Sequence, residues 1–203
     1  MKFSSIALIF GAFFGLVSCQ SSTPDSQFDS STPNVIFILA DDLGYGDLGF
    51  LGQQYIETPN IDRLASEGMF FTQHYAGAPV CAPSRSALIT GLHTGHTPVR
   101  GYFEVQPEGQ YPMPDTLHTL SKIFQQAGYA TGAFGKWGLG FVGTSGDPSN
   151  QGFEQFYVYN CQRYAHRYYP AYLWENQTPV DLPGKAGPTK VPSAPVLSLE
   201  WTL

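Results

Sequence analysis

The sequence has few cysteines, few basic residues and no long apolar run. Its 203 residues include three cysteines, and 10 Lys and Arg against 16 Asp and Glu give a net charge of −6. Three cysteines do not build a disulfide framework in an exported protein, although a single Cys81–Cys161 bridge stays open. The shortage of basic residues gives no reason to expect nucleic acid as a partner, and we expect none. Hydrophobic residues make up 42% of the chain, which is typical of one globular domain or part of a larger one.

The N-terminus has the features of an export signal. Lys2 precedes an apolar run, residues 6–17, that is too short to span a bilayer comfortably. The letters LVSC end this segment at Cys19 and resemble a bacterial lipobox, with an ordinary signal peptide as the alternative. We therefore predict a lipoprotein-type signal over residues 1–18, lipidation of Cys19 and a flexible tether over residues 19–33. The expected location is the bacterial envelope, in the periplasm or at the cell surface, anchored to a membrane.

Residues 34–203 predict an α/β fold with a mainly parallel sheet flanked by helices. The predicted strands are apolar and rich in β-forming residues, and they cover residues 35–40, 69–75 and 129–134. The predicted helices have capping signals or an apolar stripe, and they cover residues 58–68, 83–90 and 116–126. We predict coil from Pro179 onward. In such a sheet, active groups gather at the carboxyl ends of the strands.

Charged side chains that are candidates for a functional site follow two of the predicted strands. Asp41 and Asp42 follow the first predicted strand, and adjacent carboxylates repel each other unless a cation neutralises them. Hard ions such as Ca²⁺ or Mg²⁺ prefer carboxylate oxygens, so a metal site is one interpretation and a solvated turn is the other. Lys136 follows the third predicted strand in the stretch GKWGLG. It is either a point charge with open space around it or a solvated lysine in a surface turn.

The stretch CAPSRSALITG, residues 81–91, is the most informative. Pro83 suits the first turn of a helix, so Cys81 is predicted at or just before a helix N-terminus, where free N–H groups favour an anion. Arg85 lies one turn further and can direct its forked donors at the same anion. From these residues alone, Cys81 is part of an anion site, a thiolate nucleophile or a small buried side chain.

Together these stretches resemble the sulfatase family. NVIFILADDLGYG, from residue 34, is similar to the opening of the family, and residues 81–91 resemble its formylglycine signature, Cys-x-Pro-Ser-Arg-x-x-Leu-x-Thr-Gly. GKWGLG resembles its Lys-Trp-His-Leu-Gly block, and TPNIDRLASEG and HTGHTPVRG are also similar to family segments. The resemblance implies the N-terminal part of a catalytic domain of the formylglycine-dependent arylsulfatase type, in the alkaline-phosphatase superfamily.

The resemblance also implies a mechanism. A maturation enzyme oxidises Cys81 to formylglycine, whose hydrate attacks the sulfur of a sulfate ester and later expels sulfate by collapsing to the aldehyde. Asp41, Asp42 and the diol of residue 81 would bind Ca²⁺, with Mg²⁺ as the alternative. Arg85 would steady the diol, and Lys136 would bridge the diol and the sulfate group.

The expected substrate is a sulfated carbohydrate or an aryl sulfate. Residues 157–174 are dense in aromatics, and either they pack in a core or they stack on a sugar that Arg163 and His166 help to hold. A rival interpretation is a phosphatase or phosphodiesterase of the same superfamily, which usually uses Ser or Thr without the Pro-x-Arg sequence. A second rival is a non-catalytic, glycan-binding surface lipoprotein, which would not need Asp41, Asp42 or Lys136.

Two departures from the family pattern matter. Gly138 stands where the family often has a His that contacts the formylglycine, so the proton would go to water or to His166. The family's remaining metal ligands, second lysine and leaving-group histidine lie well downstream of the segments matched here. We therefore expect an N-terminal fragment, with a sheet that is incomplete at the C-terminus and no activity alone.

Overall fold

The computed structural model describes residues 32–106 and 108–183. The chain divides into two units, residues 1–40 and residues 41–203, and the second contains every helix and strand that is described. Cys19 and the predicted signal lie outside the described residues, so their assignment stays a prediction. Of the helices in the described part, none combines the length and the apolar character needed to cross a membrane.

The second unit contains a four-stranded mixed sheet. Its strands follow in chain order and are β1 (Gly132–Lys136), β2 (Gln155–Tyr159), β3 (Tyr172–Glu175) and β4 (Thr178–Asp181). β1 and β2 are parallel, with Lys136 opposite Tyr159. The other two pairings are antiparallel, and Asn176, in the left-handed region at φ 50°, turns the chain between β3 and β4. The α/β class is confirmed, with one parallel pairing among the three described.

The helices lie close to the predicted positions. They are α1 (Pro59–Glu67), α2 (Cys81–Thr90), α3 (Leu120–Gln126) and the single turn α4 (Gln162–Ala165). α2 begins two residues earlier than predicted, so that Cys81 is its first residue. It is capped by Gly91, which adopts φ 66° and donates its N–H to the Ala87 carbonyl at 2.9 Å. α3 begins later than predicted because Thr119 caps it, accepting the Lys122 N–H through its hydroxyl.

The strand predictions were less accurate. Residues 35–40 and 69–75 form no strand in the described part, because an apolar run becomes a strand only where another strand pairs with it. The third predicted strand is present but shifted to Gly132–Lys136, since Tyr129 packs edge-on against Phe124 of α3 with ring centroids 5.2 Å apart. β4 lies in the segment predicted as coil, and Pro179 is tolerated there because β4 is at the end of the sheet.

The core joins α2 to the ends of β1 and β2. Its buried members are Ala82, Ile89, Val99, Met113, Trp137, Leu139, Phe156 and Val158. Trp137, next to Lys136, also donates its indole N–H to the Gly146 carbonyl at 2.7 Å. The backbone on either side of the predicted site is therefore held by packed side chains, which keeps Cys81 and Lys136 in fixed positions.

Candidate functional site

The first residue of α2 and the last residue of β1 are in contact. The Lys136 ammonium donates to Cys81 Sγ at 3.3 Å and to Asp41 Oδ2 at 2.6 Å. The Lys136 side chain is only 7% exposed, whereas that of Asp41 is 44% exposed. The fold thus brings together three residues whose most distant pair, Asp41 and Lys136, is 95 positions apart in the sequence.

Arg85 ties the same elements together from one turn further along α2. Its Nη2 donates to Asp41 Oδ1 at 3.1 Å, and its Nη1 donates to the Lys136 carbonyl at 2.6 Å. Its Nε is buried and has no partner among the described residues. The guanidinium therefore holds the end of β1 and the Asp41 carboxylate in one arrangement, and its Nε remains a donor without a partner among the described residues.

The charge state of Asp41 follows from these contacts. Burial acts to raise the pKa of Asp41, but hydrogen bonds and charge from Lys136 and then Arg85 outweigh it and hold the pKa below its usual 3.8. Asp41 is therefore an ionised carboxylate at neutral pH.

Asp41, Asp42 and Cys81 form a group that suits a divalent cation. Each offers one ligand atom, and these atoms lie within 4.8 Å of one another. Asp42 adopts φ 57°, a conformation that non-glycine residues rarely hold and that often occurs at functional sites. Carboxylate oxygens suit Ca²⁺ and Mg²⁺, whereas a thiol sulfur does not, so residue 81 fits such an ion better once it carries oxygen.

Tyr102 is a site residue that sequence reasoning missed. The Cys81 N–H donates to the Tyr102 hydroxyl at 3.2 Å, which supplies one of the partners that the free N–H groups of α2 require. Burial, and then Cys81 and Asp42, raise the pKa of Tyr102 above its usual 10.0. The hydroxyl stays protonated at neutral pH. No local pattern could have predicted this contact, because Tyr102 lies in a loop 21 residues from Cys81.

The two predicted substrate contacts differ in position. His166 Nε2 lies 3.5 Å from the Lys136 ammonium, so His166 joins the cluster. Arg163 instead pairs with Glu104 at 3.5 Å and lies over the Tyr164 ring. In residues 32–106 and 108–183, no hydrogen bond or ion pair joins Arg163 to the cluster.

The open possibility of a bridge between Cys81 and Cys161 is not realised. Both cysteines are free, and Cys161 is fully buried. Burial raises the pKa of the Cys161 thiol, which keeps it neutral and unreactive.

Known proteins resemble most of this chain. The Sulfatase family model matches residues 33–193. Arylsulfatase D of Homo sapiens is 44% identical over 151 residues, covering 70% of this chain and 25% of the relative. N-acetylgalactosamine-6-sulfatase of Sus scrofa is 40% identical over 131 residues, covering 62% of this chain and 25% of the relative. The chain thus spans about a quarter of the length of these curated relatives.

Solved structures agree with the sequence matches. One, described as part of the metabolism of multiple glycosaminoglycans by Bacteroides thetaiotaomicron, is 33% identical with a TM-score of 0.64, covering 74% of this chain and 32% of the other. Another, described in complex with its substrate D-glucosamine-2-N,6-O-disulfate, is 29% identical with a TM-score of 0.59, covering 74% of this chain and 28% of the other. Since the family model matches well over half of the chain and the fold agrees, the protein belongs to the sulfatase family.

Proposed function

We propose that this protein hydrolyses sulfate esters, with residue 81 as the nucleophile after conversion of Cys81 to formylglycine by a maturation enzyme. The observation that carries the proposal is the contact of Lys136 with both Cys81 and Asp41. A sulfate ester is anionic, so a fixed ammonium beside the nucleophile attracts it and stabilises the negative charge that the reacting group carries in the transition state. A protein that only bound glycans would not need this arrangement.

Two groups would complete the site. A divalent cation, Ca²⁺ in our proposal and Mg²⁺ as the alternative, would be held by Asp41, Asp42 and residue 81 and would polarise a sulfate oxygen as a Lewis acid. Formylglycine at residue 81 would supply a hydrated aldehyde with a nucleophilic hydroxyl.

The remaining roles fall to side chains of this chain. Lys136 is nearly enclosed, which strengthens its attraction for an anion relative to an ammonium in open water. Arg85 keeps the backbone of Lys136 and the Asp41 carboxylate in place. With glycine at position 138, either His166, which lies beside Lys136, or water would take the proton that the family's His handles at the formylglycine.

We propose a sulfated carbohydrate as the physiological substrate. The solved relative bound to D-glucosamine-2-N,6-O-disulfate supports this class. Tyr168 and Tyr169 follow His166 in the chain and are 81% and 63% exposed, so their rings are available to stack on a sugar. Arg163, whose ion pair with Glu104 is partly exposed, remains the candidate contact for an acidic sugar.

The function can be tested with protein purified from a host that has the maturation enzyme. The substrates are an aryl sulfate, the matching aryl phosphate and a panel of sulfated sugars, assayed with calcium. We expect turnover of the sulfate esters when residues 1–203 are produced as part of a full-length catalytic domain, because they span about a quarter of the relatives' length and are not expected to be active alone. Faster turnover of the phosphate would favour the phosphatase alternative. Glycan binding without turnover, unchanged by a chelator, would favour the glycan-binding lipoprotein.

Asp42→Asn should weaken calcium binding by about tenfold or more, because a neutral amide oxygen replaces a charged ligand. Titration calorimetry measures the affinity directly and does not depend on activity. Asp47→Asn is a matched control, since the Asp47 carboxylate accepts from the Gly44 N–H in its own turn. Equal calcium affinity in Asp42→Asn and the wild-type protein would remove Asp42 from the metal site.

We also propose that the protein is lipid-anchored through Cys19 in a bacterial envelope. Cys19→Ser should move it from the membrane pellet to the soluble fraction, because the acyl chains are lost. Cell fractionation with immunoblotting measures this. Cys81→Ser, which alters a cysteine outside the lipobox-like segment, should stay with the membrane. Retention of Cys19→Ser in the pellet would contradict the anchor.

A further inference from the structure

Gly138 and Gln162 compete for the same space. Gly138 lies two residues after Lys136 and adopts φ 81°, in the left-handed region that favours glycine. A Cβ at this position would overlap Gln162 Nε2 and lie 2.8 Å from Gln162 Cδ, closer than real Cβ atoms approach. The side-chain amide of Gln162 therefore occupies the place where a side chain of residue 138 would begin.

The local backbone places Gln162 next to the segment that carries Lys136. The Gly138 N–H donates to the Asn160 carbonyl at 3.1 Å, and Gln162 starts α4 two residues later. The His166 N–H donates to the Gln162 carbonyl at 3.0 Å, so the two residues are one helical turn apart and share a face. That face places Gln162 against Gly138 and His166 against Lys136.

The amide is enclosed and lacks a protein partner. Gln162 is 2% exposed, and neither its Nε2 nor its Oε1 has a hydrogen-bond partner among the described residues. A buried amide without a partner is costly, whereas an apolar side chain of the same length would fill the space without that cost. The Lys136 side chain, which we propose to contact the substrate, is almost as enclosed. The low exposed fraction of Gln162 therefore does not argue against a contact with the substrate. A buried amide without a protein partner calls for an explanation, and for Gln162, which lies against the residue two positions after Lys136, a bound ligand is one that fits.

We propose that Gln162 binds the sulfate group, donating a hydrogen bond from Nε2 to a sulfate oxygen from the space that a side chain at position 138 would take. This inference rests on the proposed hydrolysis of sulfate esters. Lys136 supplies positive charge, which attracts an anion from any direction, whereas an amide donor adds a preferred direction. A neutral amide does not exchange its proton in catalysis, so Gln162 orients the sulfate group and leaves proton transfer to His166 or water.

The test is Gln162→Met in the protein as its host makes it. Methionine keeps the length and volume of glutamine and removes both polar atoms, so thermal unfolding should occur at the same or a higher temperature. Inorganic sulfate, titrated by calorimetry in calcium buffer, should bind about 10- to 100-fold more weakly, as expected for a lost hydrogen bond to a charged group. The KM for an aryl sulfate should rise by a similar factor. If Gln162→Met does not fold, Gln162→Leu serves in its place with the same expected result.

Lys136→Ala distinguishes a failure of the role proposed for Gln162 from a failure of the proposed sulfate site. If Lys136→Ala weakens sulfate binding but the folded Met or Leu variant binds sulfate like the wild type, Gln162 only fills space and the inference is overturned. If neither Lys136→Ala nor the Gln162 variant changes sulfate affinity, the proposed sulfate site itself is wrong, and the inference falls with it.

Discussion

Cys81→Ala is expected to reduce sulfate-ester hydrolysis by at least about 10⁴-fold, the scale seen when a nucleophile that acts as a unit with its neighbours is removed. The Cys81 side chain is the one that Lys136 contacts at the start of α2, and alanine leaves no nucleophile there. Release of the phenol from an aryl sulfate measures the effect. In the wild-type protein, peptide mass spectrometry should show the thiol of residue 81 replaced by an aldehyde.

Leu88→Ala is the matched control for this variant. Leu88 lies on the same helix and is 38% exposed, so its truncation should leave turnover close to that of the wild type. Substantial turnover in Cys81→Ala would show that residue 81 is not the nucleophile. An unmodified thiol in fully active protein would show that the nucleophile is not formylglycine.

Lys136→Ala is expected to lower kcat by about 10²- to 10³-fold, the usual result of removing one preorganised donor from a developing negative charge. The Lys136 ammonium lies beside Asp41, Cys81 and His166, and its enclosure makes water a poor substitute. Steady-state kinetics with an aryl sulfate measures kcat and KM separately. Lys136→Arg should not restore the rate, because the guanidinium is larger and planar.

Lys122→Ala is the control for lost charge. The Lys122 ammonium donates to the carbonyls of Asp115 and Leu117, which hold the segment before α3. Its loss should lower the unfolding temperature and leave kcat close to that of the wild type. A kcat for Lys136→Ala within about threefold of the wild type would contradict the role proposed for Lys136, since a removed donor of this kind usually costs far more.

The candidate site could be predicted where its geometry is local. Cys81 and Arg85 are four residues apart on a helix that Pro83 helps to start, so their common face follows from spacing alone. Asp41 and Lys136 each follow a stretch predicted as a strand, and the rule that active groups gather at strand ends correctly predicted that they lie together. This prediction held even though the first of those strands is not formed. Tyr102 could not be predicted in the same way, because its position depends on contacts between distant segments.

Burial was harder to predict than helix position. Apolar spacing correctly indicated α1 and α3, but Leu64 and Ile123, which belong to the apolar stripes of these helices, are 62% and 55% exposed. A hydrophobic stripe shows which face of a helix is apolar and does not show what packs against it. Short apolar runs are also ambiguous, since residues 69–75 pair with no strand in the described part, whereas the Pro-bearing β4 does pair.

The two hydrogen bonds of the Arg85 guanidinium limit the insertions and deletions that the start of α2 can tolerate. The two Nη atoms of Arg85 reach the Lys136 carbonyl and Asp41 from the face of α2 that also carries Cys81. One residue inserted between Cys81 and Arg85 would rotate Arg85 by about 100° around the helix axis and separate it from both partners. Point substitutions on the outer face of α2 leave this geometry intact, whereas any change in the length of the segment between Cys81 and Arg85 disrupts it. The length of this segment is therefore constrained by the geometry of Arg85, in addition to the packing that constrains the buried Ala82 within it.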